Sequence, residues 1–197
     1  MLFRSRVNIL QPGPGVGGHC IAVDPYFIID AAPNNTRLMS SARHINSDRP
    51  HAAVNDIKAL LDPTKRQTVA CLGLSFKPNI DDLRESPAVE VVRLLAEVPN
   101  LTIIAAEPHT RGLPPELDGK GIIFADALTA IDRADVVVLL VDHRQFNLID
   151  ADALRDKKLV DTRGLWTWRK ARKFDAVIEG IKVERPQFRR RITDRAA

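Results

Sequence analysis

The run Asp135-Val-Val-Val-Leu-Leu-Val141 constrains this chain more than any other stretch. It is far too short to cross a membrane and too continuous for a half-exposed strand. A run of this kind suits a strand buried on both faces, which requires a parallel sheet with helices packed on each side.

The sequence around it supplies the rest of such a sheet. Thr68–Leu74, Leu101–Ala106, Gly121–Ala125 and Lys158–Asp161 read as further strands. Ser86 followed by Pro87 reads as an N-cap and first helical residue, opening a helix from Ala88 to about Val98. Ala127–Asp132 and Ala151–Asp156 read as short helices, and Trp168 to about Gly180 as a final amphipathic one. Strands alternating with helices imply right-handed crossovers and a doubly wound, mostly parallel α/β sheet. Ligands of such sheets bind outside the carboxyl ends of the strands, so the loops after Leu74, Ala106 and Asp161 are expected to line a site.

A helical segment precedes the sheet. Leu38, Ala42, Ile45, Ala53, Ile57 and Leu60 recur at helical spacing between Asn34 and Leu61, with Pro50 expected to kink or break the stretch. Asp62-Pro63-Thr64 reads as its stop. Three regions result: residues 1–64, 65–180 and a basic tail, 181–197.

Composition narrows the function classes. The chain has 197 residues, 45% hydrophobic, with net charge +4, much of it at Arg189, Arg190, Arg191 and Arg195. No aromatic interleaving or nucleic-acid motif accompanies these arginines, so nucleic acid is not the expected partner and a solvated tail is. No apolar run is long enough for a membrane helix. Two cysteines, Cys20 and Cys71, make neither a disulfide framework nor a metal-ligand spacing, so no metal is expected. With no secretory pattern at the N-terminus, a cytoplasmic location with reduced thiols is expected.

Chemistry concentrates in Pro12-Gly-Pro-Gly-Val-Gly-Gly-His-Cys-Ile-Ala-Val-Asp-Pro-Tyr26. Gly15, Gly17 and Gly18 let a backbone approach a ligand closely, and Cys20 at the end of the loop is placed to attack what binds there. Asp24 follows four residues on; its structural alternative is an Asx-turn before Pro25. The run formally matches GxGxxG, but Pro25 is expected to prevent the helix that a dinucleotide-binding turn needs. His19 reads as loop structure or a substrate contact, and Cys71 as a small core residue. A second dense segment is Phe76-Lys-Pro-Asn-Ile-Asp-Asp-Leu-Arg-Glu-Ser-Pro87, between a strand and a helix. A third, shorter one is Val160-Asp-Thr-Arg-Gly164 at the end of the last strand.

Together the three segments resemble the UDP-glucose/GDP-mannose dehydrogenase family over roughly residues 7–168. His19, Ile21, Val23 and Tyr26 give the cysteine loop the form of the branch that oxidises UDP-N-acetylmannosamine. Val23, where the UDP-glucose branch has lysine, argues for an N-acetylhexosamine; UDP-N-acetylglucosamine and UDP-glucose are the alternatives.

The resemblance implies a Rossmann-like UDP-sugar-binding domain in 65–180, preceded in 1–64 by the end of a central, dimer-forming helical region. It implies that Cys20 attacks the sugar aldehyde to give a thiohemiacetal, oxidised to a thioester that water hydrolyses, with Asp24 assisting water or proton transfer. Lys77 and Arg163 would contact the UDP-sugar and Arg84 the NAD diphosphate. NAD is the implied cofactor, yet the sequence begins within the family's central region, so the family's NAD domain and oxyanion-stabilising lysine and asparagine have no counterpart in it. The expectation is the C-terminal half of an NAD-dependent enzyme that oxidises C6 of UDP-N-acetyl-D-mannosamine, inactive alone. A separate NAD-binding chain and a homo-oligomer are the expected partners, and a non-catalytic UDP-sugar-binding module or a dehydrogenase remnant is the alternative.

Overall fold

The computed structural model describes residues 10–166. The chain runs through α1 (Asp24–Ala31), α2 (Arg37–Lys58), β1 (Gln67–Leu72), α3 (Pro87–Ala96), β2 (Leu101–Ala106), β3 (Ile123–Phe124), α4 (Ala127–Arg133), β4 (Val136–Leu139) and β5 (Lys158–Asp161), with short 3₁₀ turns between. All five strands are parallel, in the order β3-β2-β1-β4-β5. The chain winds one way from β1 to β3, then returns to build β4 and β5 on the other side of β1. The direction therefore reverses between β1 and β4, the place at which sheets of this kind bind ligands beyond their carboxyl ends.

Side-chain alternation assigns the two faces. Val69, Cys71, Ile103, Ala105, Val136 and Val138 share a core with Ala53, Val54 and Ile57 of α2 and with Val89, Val92 and Leu95 of α3. α4 packs on β1 and β2. All four β4 residues are buried, as the continuous apolar run requires. Each fully buried leucine or isoleucine in this core contributes about 2 kcal/mol.

Ser86 caps α3 as its sequence suggests, its hydroxyl accepting the Ala88 N–H. Two proline expectations are corrected. Pro25 does not prevent a helix: it stands in the first turn of α1, where its missing N–H has no partner to lose. Pro50 does not break α2, which runs from Arg37 to Lys58 with Pro50 buried inside it. Pro50 has no N–H to give the Asn46 carbonyl, and that oxygen faces the cysteine loop, 3.5 Å from where a Gly15 β-carbon would lie. The helix expected from Trp168 and the arginine tail lie outside the described residues.

Candidate functional site

The glycine loop is folded down onto the second motif. The Gly18 N–H donates to the Glu85 carbonyl at 3.3 Å. A β-carbon on Gly17 would meet Glu85 and Pro87, and one on Gly18 would lie 2.9 Å from the Phe76 ring. Gly18 also holds a positive φ of 94°, which favours glycine. The glycines thus permit two chain segments to pack backbone to backbone. The space beside Gly17 and Gly18 is filled by protein, so the loop does not form a diphosphate cradle for a dinucleotide.

Three further anchors hold the loop. The Asn46 carboxamide of α2 accepts the Val16 N–H at 2.7 Å and donates to the Val16 carbonyl at 3.0 Å. Arg163, just past β5, donates from Nη1 to the Pro12 carbonyl and from Nε to Asp142 at 2.7 Å. Its own N–H donates to Asp161 at 3.1 Å. Arg163 therefore links the ends of β4 and β5 to the start of the cysteine loop.

Beyond Gly18 the chain makes a helical turn. The Cys20 carbonyl accepts the N–H groups of Val23 and Asp24, at 2.9 and 2.8 Å. This turn sets Cys20 and Asp24 one above the other on the same side of the chain, both exposed. Cys71 behaves as expected of a core residue: burial pushes its thiol up to about 12.

Beside the thiol lies a charged lip. Arg84 forks onto Asp82 through Nε at 3.0 Å and Nη2 at 2.6 Å. These side-chain bonds, with the Arg84 N–H, hold the Asp82 carboxyl down at about 2. His19 Nδ1 stands 3.9 Å from the same carboxylate. The His19 ring also meets the Phe76 ring edge-on at 6.5 Å, and Lys77 Nζ lies 5.9 Å from the Phe76 centroid. Phe76 thus joins the cysteine loop to Lys77. Cys20, Asp24, Lys77 and Arg84 are all exposed, and Arg84 lies near enough to Cys20 to interact with it electrostatically, whereas Arg163 is part-buried and occupied by protein partners.

Sequence reasoning missed a buried pair beneath this surface. Glu107 follows β2, and His143 follows β4 by a few residues. His143 Nε2 and Glu107 Oε2 are 3.0 Å apart, with both side chains fully buried. Glu107 also accepts the N–H groups of Leu74 at 2.7 Å, Ser75 at 3.1 Å and His109 at 3.0 Å. His143 Nδ1 accepts the Asn79 N–H at 3.0 Å, which places the ring proton on Nε2 facing Glu107. Burial raises the Glu107 pKa, but the bonds from His143, Leu74 and His109 outweigh it and leave the carboxyl below its ordinary value. Glu107, His109 and His143 bring ligand atoms within 4.8 Å of one another. Both Glu107 oxygens and both His143 nitrogens already carry hydrogen bonds, so the group is satisfied within the protein. A cavity of about 510 Å³, lined by Glu107, Phe124, Leu128, Phe146 and Leu148 among others, opens at the ends of β2 and β3; none of Cys20, Asp24, Lys77, Arg84 or Arg163 lines it.

Comparison with known proteins reaches the same segments. The family model described as "UDP-glucose/GDP-mannose dehydrogenase family, UDP binding domain" matches residues 70–167, and that family's central-domain model matches residues 3–48. The NDP-N-acetyl-D-galactosaminuronic acid dehydrogenase of Ralstonia nicotianae is 52% identical over 162 residues, covering 82% of this chain and 38% of the relative. The UDP-N-acetyl-D-mannosamine dehydrogenase of Salmonella typhi is 48% identical over 169 residues, covering 82% of this chain and 40% of the relative. Among solved structures, a UDP-glucose dehydrogenase from Pyrobaculum islandicum superposes with a TM-score of 0.71 at 28% identity, covering 80% of this chain and 37% of that one. The UDP-N-acetyl-mannosamine dehydrogenase of Staphylococcus aureus gives 0.62 at 35% identity, covering 81% and 36%.

The all-parallel fold superposes on solved UDP-sugar dehydrogenases, and the cysteine loop and the FKxxxDDxRxSP segment fall within the regions that match the family's central and UDP-binding domains. The chain belongs to the UDP-glucose/GDP-mannose dehydrogenase family, with its central and UDP-binding domain sequences both represented. It spans about two fifths of the length of the curated relatives it matches.

Proposed function

We propose that this chain is the substrate-side part of an NAD-dependent UDP-N-acetylhexosamine 6-dehydrogenase, which oxidises the sugar C6 alcohol to a carboxylate. The observation that carries the reading is the packing of the Cys20 loop against the Lys77 segment, with Asp24 one helical turn from the thiol. In this reading residues 1–64 contribute the nucleophile and residues 65–180 hold the UDP-sugar.

Lys77, an exposed ammonium on a strand-end loop, suits a diphosphate. Arg163 fixes the cysteine loop and turns toward substrate by exchanging the Pro12 carbonyl for it. Two NAD in the whole enzyme would accept the two hydrides, one as the C6 alcohol becomes the aldehyde and one as the thiohemiacetal becomes the thioester. Within this chain the Cys20 thiolate adds to the C6 aldehyde carbon, giving a thiohemiacetal. Once that carbon has lost its hydride the product is a thioester, and a water that loses its proton to Asp24 replaces the sulfur.

UDP-N-acetylmannosamine is the substrate favoured by His19, Ile21, Val23 and Tyr26. The Ralstonia relative named for N-acetylgalactosaminuronic acid supports the wider N-acetylhexosamine class. The NAD-binding part is assigned to the portion of the relatives' length that this sequence does not span, whether on the same polypeptide or another. Without it no turnover is expected. A homo-oligomer and a cytoplasmic location are part of the proposal, and no helix among the described residues is long and apolar enough to cross a membrane.

Calorimetric titration with UDP and then UDP-N-acetylmannosamine tests the reading. Binding of both, weakened about tenfold or more by Lys77→Ala, is the expected result. Binding of neither, or binding indifferent to Lys77, refutes the assignment. A purely non-catalytic UDP-sugar module predicts that Cys20→Ser leaves turnover unchanged when the NAD-binding part is supplied.

A further inference from the structure

The buried Glu107–His143 pair lies outside the reacting surface, yet every bond it makes beyond itself ends on a backbone N–H or on Ser75. Glu107 holds the N–H groups of Leu74 and Ser75, the two residues that lead out of β1. His143 holds the N–H of Asn79. The Ser75 hydroxyl, 3.3 Å from His143 Nε2, donates to the Lys77 carbonyl at 2.8 Å. The segment 75–79 is thus fastened before and after Lys77 by the buried carboxylate–imidazole pair, and at Lys77 by the Ser75 hydroxyl that lies against it. Asn79 takes a left-handed φ of 64°, and its side chain accepts the Arg144 N–H at 2.9 Å, which ties the same turn to the residue after His143.

We propose that Glu107 and His143 are positioning residues that set the Lys77 segment for the diphosphate of a UDP-sugar. The proposal rests on the reading that Lys77 binds that ligand. A purely structural pair in this place needs only to fill space and satisfy itself. This one instead commits both Glu107 oxygens and His143 Nδ1 to backbone N–H groups of the strand-end loops, and three of those, on Leu74, Ser75 and Asn79, lie within three residues of Lys77. A lysine on an otherwise exposed loop loses conformational freedom on binding, and fixing its backbone beforehand lowers that cost.

The chemistry of the ring separates positioning from simple stability. His143→Asn keeps an acceptor near the Nδ1 position for the Asn79 N–H and gives up the bond to Glu107. His143→Gln reaches Glu107 and gives up the Asn79 acceptor. UDP affinity of the full 197-residue chain is read by calorimetry, beside the denaturant midpoint of each variant. The expected result is about a tenfold loss of UDP affinity for His143→Gln, with most of it restored in His143→Asn, irrespective of which has the lower midpoint.

UDP affinity that simply follows the midpoints overturns the proposal, as does unaltered affinity in His143→Gln. Should neither histidine variant fold, Ser75→Ala decides: about a threefold loss at an unaltered midpoint supports positioning, and an unaltered affinity overturns it. Lys77→Ala separates the two levels. If it weakens UDP while the His143 and Ser75 variants do not, the positioning role fails alone. If Lys77→Ala has no effect, or the unsubstituted chain binds no UDP, the ligand reading fails and the positioning role with it.

Discussion

A β-carbon on Gly17 would stand 2.2 Å from the carbonyl oxygen of Glu85. The two residues belong to separate motifs, so the glycine records how closely the cysteine loop approaches the segment that carries Lys77. Gly17→Ala is expected to force the loops apart and destabilise the chain by about 1–3 kcal/mol. Gly112→Ala is the control, since nothing lies within 4 Å of its β-carbon position. Equal denaturant midpoints for the two variants would contradict the packing described.

The two thiols should differ sharply in reactivity. Cys20 is exposed and Cys71 is buried with its thiol raised to about 12. A small thiol reagent is expected to modify one sulfur in the native chain and both in denaturant. Cys20→Ser should abolish the native reaction while Cys71→Ser leaves it in place; peptide mapping identifies the site.

Acid should release the Glu107 contribution. Its folded pKa lies below the unfolded value of about 4.3, so the folded state binds fewer protons than the unfolded state in that range. The stabilisation is complete above the unfolded value and disappears as pH falls through the folded one. Denaturant titrations between neutral and acid pH should show this slope reduced in Glu107→Gln. An identical pH slope in that variant would count against the bonding described for the carboxylate.

Asn46→Ala removes both bonds between α2 and Val16. A cost of about 1–2 kcal/mol is expected, with faster modification of Cys20 as the loop loosens. A reagent rate equal to that of the unsubstituted chain would show that the carboxamide does not set the thiol.

Arg163→Lys keeps the charge and loses the fork. Lysine cannot donate along the directions of Nε and Nη1 to Asp142 and Pro12 together. UDP affinity and Cys20 reactivity should therefore change together in this variant. A change in one alone would separate the substrate role from the loop-holding role.

Much of this was legible in the residues, for identifiable reasons. The β4 run declared a parallel sheet because burial on both faces leaves no place for polar alternation. β5 was marked by Lys158–Asp161, and α3 by Ser86 and Pro87, since each is a local signal. The prolines misled because their consequence depends on position: Pro25 falls where a helix needs no N–H, and Pro50 is carried through by the packing of α2 on the core. Glu107 and His143 gave no signal because they are isolated letters whose partnership exists only once β2 and β4 lie on either side of β1. Asn46 was hidden for the same reason. The glycines were read as letting the backbone approach a ligand closely, and Gly17 and Gly18 in addition make room for another part of the chain, which no local pattern announces.

The bonds that hold the cysteine loop close over very different lengths of chain, 30 residues for Asn46 with Val16 and 151 for Arg163 with Pro12. Short closures are quick and long ones wait for the intervening structure to form. The first clasp needs only a helix beside the loop, while the second needs β4 and β5 in place. The Arg163 clasp on the loop that carries Cys20 therefore depends on the paired strands β4 and β5, and the rate at which a reagent finds that sulfur is expected to report how firmly Pro12 and Arg163 are joined.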